Sequence, residues 1–354
     1  MTRMIADRVE AGARWLTESG AQLPGGGFAP WYDTGSQDHP YVYAEITGYL
    51  TTLLCHLGDV AAATAAGDWL VRNADEDTGG FRCLVPLRPS RFDQKQHLVY
   101  AFDTGVIVNG LADLHRATGV GTYLSTAVRA ADWLVDVAQL PSGGFRPIWD
   151  GGAGAFAAEK DDWSWRPGGF QAKVAAGLAN LGELTGDGRY RDAAVRAADY
   201  AVAQLDATGG DTHAHPYAYT AEGLWATGTM LGRPEYVEAS RRATAWLLSL
   251  QRADGMVPRF VRDGVPLYVE RRDVQAQALR LALLHGLPGR LDELTARLID
   301  GQAEDDDPRI GGGWWFGSLS DGTAVPHVNV WTTAFAVQAL QLRDGAALDP
   351  RFLV

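Results

Sequence analysis

Cysteine is nearly absent. Only Cys55 and Cys83 occur in 354 residues, too few for a disulfide framework or a thiolate zinc site, and both read as small buried hydrophobes. Basic residues are also short, 31 Lys and Arg against 43 Asp and Glu, for a formal charge of −12. That balance repels a polyanionic backbone and leaves no basic stripe to track one, so nucleic acid is excluded as a partner. No run reaches roughly 18 uninterrupted apolar residues, the length a membrane-spanning helix needs. The opening Met1-Thr2-Arg3-Met4-Ile5-Ala6-Asp7-Arg8 lacks the apolar core of a signal peptide, and the expectation is a cytoplasmic protein with no membrane partner. No His-x-x-x-His or comparable ligand spacing occurs, so neither a metal nor an organic cofactor is implied. Nothing in the sequence bears on oligomeric state.

Glycine and aromatic residues are abundant instead, with 42 Gly, 12 Trp and 12 Tyr. The glycines mark a repeat. The turns Gly26-Gly27-Phe28, Gly79-Gly80-Phe81, Gly143-Gly144-Phe145, Gly209-Gly210-Asp211, Asp254-Gly255-Met256 and Gly312-Gly313-Trp314 recur about 45 to 66 residues apart, near the period range of repeat architectures. An amphipathic helix precedes each turn. In the third repeat Leu124, Val128, Ala131, Val135 and Ala138 share one side while Ser125, Arg129, Asp132 and Asp136 share the other, which is the 3.6-residue period of a half-exposed outer helix. Trp15, Trp69, Trp133 and Trp246 hold matching positions on such helices and read as packing residues.

After each turn comes a helix that is apolar or small around its whole circumference, beginning near Tyr43, Phe102, Gln171, Tyr217, Asp273 and Asn329. Such helices are buried. Links from inner to outer helices are short, whereas links from outer to inner run from about ten to thirty residues, so the long Gly-rich loops gather on one rim. The expected architecture is all-α, an (α/α)6 barrel of six outer and six inner helices, forming one domain over residues 1–354. All six inner helices start at the loop-bearing rim, where their free N–H groups and positive dipole ends favour bound oxygen atoms. Function is expected there.

The inner-helix mouths are polar where a core would be apolar: Tyr43 and Glu45, Asp103, Gln171 and Lys173, His215, Tyr217, Tyr219 and Glu222, Asp273, Gln275 and Gln277, and His327, Asn329 and Trp331. Burying that many polar groups is costly unless they are partnered or used. Asp103 is the leading candidate for a general acid or base, with a first-turn helix acid as the structural alternative. Glu45 holds the equivalent place on the first inner helix, with a salt bridge to Lys173 or Arg272 as its alternative. His215 and His327 are candidates for a proton-exchanging pair near neutral pH. Glu222, seven residues after His215, lies two turns deeper on the same face and could orient the imidazole or hold a substrate hydroxyl.

Tyr43-Ala44-Glu45-Ile46-Thr47-Gly48-Tyr49, Phe102-Asp103-Thr104-Gly105, Thr185-Gly186-Asp187 with Tyr190, and Asn329-Val330-Trp331-Thr332-Thr333 resemble segments of a bacterial (α/α)6 toroid family of D-glucuronyl C5-epimerase-like and terpene-cyclase/prenyltransferase-like proteins. Phe102-Asp103-Thr104 also looks like the catalytic-aspartate segment of unsaturated glucuronyl hydrolases. The resemblance implies a carbohydrate-active enzyme holding a sugar or oligosaccharide in the barrel mouth, with a uronate or sugar epimerase first and an unsaturated-glucuronyl hydrolase as the alternative. A terpene-cyclase-like or non-catalytic glycan-binding toroid is a further reading. The Tyr-Glu-Glu-Tyr-Pro context of the tyrosines used by glucuronyl epimerases is absent, so proton transfer is assigned to Asp103 with Glu45 or a histidine. In this reading Lys173 and Arg166 would bind a substrate carboxylate. Trp163, Trp315 and Trp331 would stack on a pyranose face, and Tyr43, Tyr217, Tyr219, Glu222, Asp273, Gln275 and Asn329 would complete the substrate contacts.

Overall fold

The computed structural model describes residues 2–207 and 211–354. Among the described residues twelve α-helices follow in chain order: α1 (Thr2–Glu18), α2 (Ala44–Leu57), α3 (Val60–Arg72), α4 (Ala101–Thr118), α5 (Gly121–Trp133, continued by a π turn over Leu134–Ala138), α6 (Ala172–Thr185), α7 (Gly188–Ala207), α8 (Ala214–Leu231), α9 (Pro234–Ser249), α10 (Arg272–Leu284), α11 (Leu291–Asp300) and α12 (Val330–Arg343). Odd-numbered helices lie outside and even-numbered helices inside. Each inner helix packs on the next, α12 returns to α2, and α1 lies on α12 to close the ring. This is the (α/α)6 toroid. No helix among the described residues is long and apolar enough to cross a membrane.

The two helix classes follow from their sequences. α4 buries every residue from Ala101 to Leu114 except Asn109, whereas α11 buries only Leu294, Thr295, Leu298 and Ile299 on one stripe. On α5 and its π turn the buried set is Tyr123, Thr126, Ala127, Ala130, Ala131, Trp133, Leu134 and Ala138, and Leu124, Val128 and Val135 sit half-buried at its edge. Ala131 and Ala138 of the expected seam are thus buried, while its three larger residues lie at the margin. Trp15, Trp69 and Trp133 are buried as expected, but Trp246 is 36% exposed because α9 turns it toward the surface beside Tyr217.

Two amide systems hold the repeats in register. Gln139, at the end of the third outer helix, donates from Nε2 to Gly143 O at 3.1 Å and to Ala193 O on α7 at 2.9 Å. Gln22 and Gln302 make the corresponding pairs of bonds, and Gln251 donates to Gly255 O. Gly143 itself has φ of 98°, and a Cβ there would stand 2.1 Å from Arg196 O on the next outer helix, so only glycine fits that turn. From the inner side, Thr47, Gln171, Gln275 and Thr333 accept the backbone N–H of Phe28, Phe145, Val257 and Trp314. Residues 209 and 210 of the fourth turn lie outside the described residues.

The rim also carries eleven short strands among the described residues, which the all-helical reading did not include. They are β1 (Trp31–Asp33), β2 (Tyr41–Tyr43), β3 (Leu84–Pro86), β4 (Leu98–Tyr100), β5 (Ile148–Asp150), β6 (Ala155–Phe156), β7 (Thr212–His213), β8 (Phe260–Arg262), β9 (Val265–Leu267), β10 (Trp314–Trp315) and β11 (His327–Asn329). They form antiparallel sheets ordered β1-β11-β10, β2-β3, β4-β5-β6 and β7-β8-β9. Loops of this length carry backbone groups that need partners, and neighbouring loops supply them. The pairing Trp31↔Asn329 joins the first repeat to the last across the rim.

Candidate active site

The rim strands and inner-helix mouths enclose a cavity of about 400 Å³, within the size range of small-molecule sites. Its walls are mainly aromatic, with Trp31, Tyr43, Tyr100, Trp163, Tyr219 and Trp331 among the lining residues. On one side two carboxyls enter from adjacent inner helices, Glu45 in the first turn of α2 and Asp103 in the first turn of α4. Both helices are preceded by tyrosines in extended conformation, Tyr43 and Tyr100, whose side chains make no cap bond. The strands β2 and β4 run directly into these helices, which fixes where the two acids point.

Asp103 is 2% exposed and Glu45 7%. Asp103 Oδ2 has no hydrogen-bond partner among the described residues. Glu45 Oε1 accepts from Trp331 Nε1 at 3.2 Å. Burial, then the charge of Glu45, pushes the Asp103 carboxyl well above the usual carboxylate range, although Lys95 and Tyr43 pull the other way. Burial likewise pushes Glu45 up to about 7, outweighing the Trp331 N–H and the Tyr43 hydroxyl. The pair therefore holds protons near neutrality. Glu45 makes neither salt bridge considered for it: Lys173 pairs with Glu222 at 3.8 Å, and Arg272 turns to Trp315 O at 3.3 Å.

Across the cavity, on α8 and α10, stand His215 and Asp273. Arg271 grips Asp273 through Nε and Nη2 at 2.9–3.1 Å, and the Val274 N–H adds a bond of 2.8 Å. Burial alone would raise the Asp273 pKa, but the Arg271 charge holds it down to about 2. His215 is pushed down to about 3, by burial first and then by Arg271. His327 is lowered as well, by burial. It stacks on Trp31, with ring centroids 4.6 Å apart, and its Nε2 lies 3.5 Å from Asp33. Both histidines reach the cavity, and burial holds both below the usual imidazole range, His215 furthest.

The remaining candidates divide clearly. Tyr43, Tyr219, Asn329, Trp163 and Trp331 line the cavity, although Asn329 also caps α12 by accepting from Thr332 N at 2.9 Å. Lys173 and Glu222 lie below the floor, bonded into the barrel interior. Tyr217 turns away toward α9 and packs on Trp246 at 4.9 Å. Arg166 pairs with Asp161 at 2.7 Å and is half exposed. Trp315 is half-buried in β10 outside the lining. Gln275 spends both ends of its amide on Val257, accepting at 3.0 Å and donating at 3.1 Å. Gln275→Ala is accordingly expected to destabilise the fold by about 1–3 kcal/mol, because it strands a buried N–H and C=O, and to leave sugar affinity intact. Equilibrium unfolding beside a binding titration checks this, and lost affinity at unchanged stability would reverse it.

Sequence reasoning missed Lys95, Arg271, Trp31, Phe92, Tyr100 and Phe316, all of which line the cavity. Lys95 ends a 3₁₀ turn (Asp93–Lys95) in the second long loop, where no periodicity marks an inward side chain. Arg271 was detectable in the run Arg271-Arg272-Asp273, but only a helix start placed to the residue separates the arginine that faces the cavity from its neighbour.

No family model matches the sequence, and no curated protein matches it. Solved structures share the fold. Cellobiose 2-epimerase from Bacillus thermoamylovorans superposes with a TM-score of 0.75 at 12% identity, covering 96% of this chain and 100% of that one. A D-mannose isomerase gives 0.74 at 12%, with 96% and 98% covered. An unsaturated glucuronyl hydrolase from Bacillus sp. GL1 gives 0.68 at 19%, with 96% of each chain covered. Likeness at this identity establishes the toroid, and the chemistry is argued from the cavity.

Proposed function

We propose that this chain is a carbohydrate-active enzyme that hydrolyses a sugar derivative, with Asp103 as proton donor and Glu45 as its partner carboxyl. One observation carries the reading: two buried carboxyls from adjacent inner helices converge on an aromatic-walled cavity without being paired away. A non-catalytic or terpenoid-binding toroid would be served by the aromatic wall alone, and has no use for a buried acid with an unpartnered oxygen, which costs stability to bury. In the proposed step Asp103, in its acid form, protonates the glycosidic oxygen as its bond to the anomeric carbon breaks and the leaving sugar departs as an alcohol, while ionised Glu45 takes a proton from the water that forms the new bond to that carbon. The Trp and Tyr rings provide flat apolar faces for a pyranose, and Lys95 sits where it offsets developing negative charge on the acids.

The epimerase reading implied by the sequence resemblance ranks second. His215 across the cavity favours it, since epimerisation needs proton-transfer groups on two faces of the sugar, but an imidazole with a pKa of about 3 is a weak base for carbon acids. The deciding experiment incubates the protein in D2O with an unsaturated uronyl disaccharide, a saturated uronate and a neutral disaccharide, and follows products by proton NMR. A new reducing end supports hydrolysis. Stereochemical interconversion with deuterium at the inverted carbon and no new reducing end would replace that reading with epimerisation.

The acids also set a pH dependence. A carboxyl whose pKa is raised in the folded state contributes stability that is fully present below its unfolded pKa and lost as pH rises through the folded value. For Glu45 that window runs from 4.5 to about 7. Buried Asp113, also raised to about 7, contributes in the same range, so the informative quantity is a difference. Glu45→Gln should melt with a flatter pH profile between pH 4.5 and 7 than the parent, and parallel profiles would show that Glu45 is not buried as an acid.

A further inference from the structure

Beneath the cavity floor, a chain of polar side chains from three inner helices, α8, α10 and α12, plays no part in the acid pair. Arg280 and Glu222 are both fully buried and ion-paired. Arg280 Nη1 also donates to Gln338 Oε1 at 2.8 Å, so the guanidinium is held from two sides. The other carboxylate oxygen, Glu222 Oε2, accepts from Gln277 Nε2 at 3.2 Å.

This bond fixes the direction of the Gln277 amide. A carboxylate only accepts, so the NH2 of Gln277 must face Glu222 and its carbonyl oxygen must face away. That oxygen meets His215 Nδ1 at 2.9 Å. A carbonyl oxygen also only accepts, so Nδ1 carries the hydrogen, and the lone pair of a neutral ring lies on Nε2. The ring lines the cavity, and Nε2 has no hydrogen bond among the described residues. Other groups around the imidazole leave this arrangement undisturbed. Asp273 Oδ2 is 3.6 Å from Nδ1, beyond hydrogen-bond reach, and is engaged by Arg271. Arg271, Arg259 and His213 all oppose a positive ring, and Trp163 and Tyr219 present aromatic rings at 6.1 and 4.3 Å.

We infer that Gln277, aimed by Glu222 and Arg280, is a positioning residue that locks His215 as the neutral Nδ1–H tautomer and so offers Nε2 to the cavity as acceptor for a substrate hydroxyl. The hydroxyl role rests on the sugar reading; the tautomer does not. Gln277 carries the effect because its amide translates an acceptor-only carboxylate, itself too deep to touch the ligand, into an acceptor-only contact on the histidine. A sugar presents many hydroxyl donors, and an acceptor of fixed direction selects among them by position.

The test is a long-range proton–nitrogen spectrum of the 15N-histidine-labelled, unliganded protein at neutral pH. It should show His215 with a protonated Nδ1 and an unprotonated Nε2. An Nε2–H ring or an imidazolium would overturn the proposal without touching the hydrolytic reading. Cellobiose and D-glucuronate are then added separately. The Nε2 resonance should shift on binding, and Trp163 and Trp331 indole signals that move while Nε2 stays fixed would overturn the hydroxyl role. If no cavity resonance responds to any sugar, the sugar reading and the hydroxyl role fail together, and the tautomer stands or falls on the unliganded spectrum. Gln277→Met, which keeps the volume and removes the acceptor, should let the Nε2–H form appear and raise KM about tenfold with kcat changed less. An unaltered tautomer in that variant would show that Gln277 does not set it. If Gln277→Met does not fold, the parent spectra decide alone.

Discussion

Asp103→Asn is expected to lower kcat by about 10²–10⁴ while the melting temperature holds or rises. The two halves of that expectation have different origins. Asparagine nearly reproduces the shape of the aspartic acid and can still donate and accept hydrogen bonds, but it cannot release a proton, so a step that depends on proton delivery loses the whole contribution of general acid catalysis. Stability moves the other way, because the carboxyl is 2% exposed, its Oδ2 has no partner and Glu45 lies close enough to raise its pKa further. Replacing a buried functional carboxyl that has an unpartnered oxygen commonly leaves a protein as stable or more so. Were Asp103 only a first-turn helix acid, the substitution would lose about 0.3–1 kcal/mol of charge–dipole stabilisation and turnover would be nearly normal. Turnover on whichever sugar the deuterium experiment identifies, measured beside thermal melting, separates the cases. Near-normal turnover would remove Asp103 from the mechanism and leave Glu45 as the principal acid.

The toroid was legible because its construction leaves marks at regular spacing. Outer helices need one apolar stripe, inner helices need small or apolar residues throughout, and the described turns after outer helices bring their backbone close to the next one, so that at Gly143 only glycine fits. The same logic exposed Asp103 and Glu45, which are charges at the start of otherwise apolar helices. Legibility failed where it depended on a helix start placed to within a residue. α8 begins at Ala214, three residues before Tyr217, because Pro216 is tolerated in a first turn whose N–H groups have no helical partner. With the start displaced, Tyr217 was assigned to the mouth, although on a helix a residue two positions from Tyr219 points to a different side. Lys173 and Glu222 were read as mouth residues for a related reason: a polar group on an inner helix looks the same in sequence whether it faces the ligand or a buried partner. The rim strands escaped notice because runs of three residues, such as Tyr41–Tyr43 and Leu98–Tyr100, are too short to show a two-residue period. Their Tyr and Val content was the available signal.

The buried pair below the floor leads to the second large effect. Arg280→Met should destabilise the protein by about 3–5 kcal/mol, more than Gln275→Ala. Arg280 is fully buried, and its charge is the principal compensation for the fully buried Glu222. With it gone, the carboxylate keeps only Gln277 at 3.2 Å and Lys173 at 3.8 Å, while the Lys173 ammonium is itself pushed down to a pKa of about 8, by burial first. A surface pair of the same geometry would be worth at most about 1 kcal/mol, so the size of the loss reports the low dielectric of the barrel interior. The double variant Arg280→Met/Glu222→Met should recover most of the loss, because two apolar side chains of similar volume leave no charge to solvate. Denaturant unfolding of the three proteins measures both quantities. A single-variant loss below about 1 kcal/mol would mean that water reaches the pair, and failure of the double variant to recover would mean that Arg280 acts through Gln338 rather than Glu222. The recovered double variant has a further use: it is stably folded but no longer aims Gln277, so a mixed His215 tautomer in it would separate the orienting role of Glu222 from its contribution to stability.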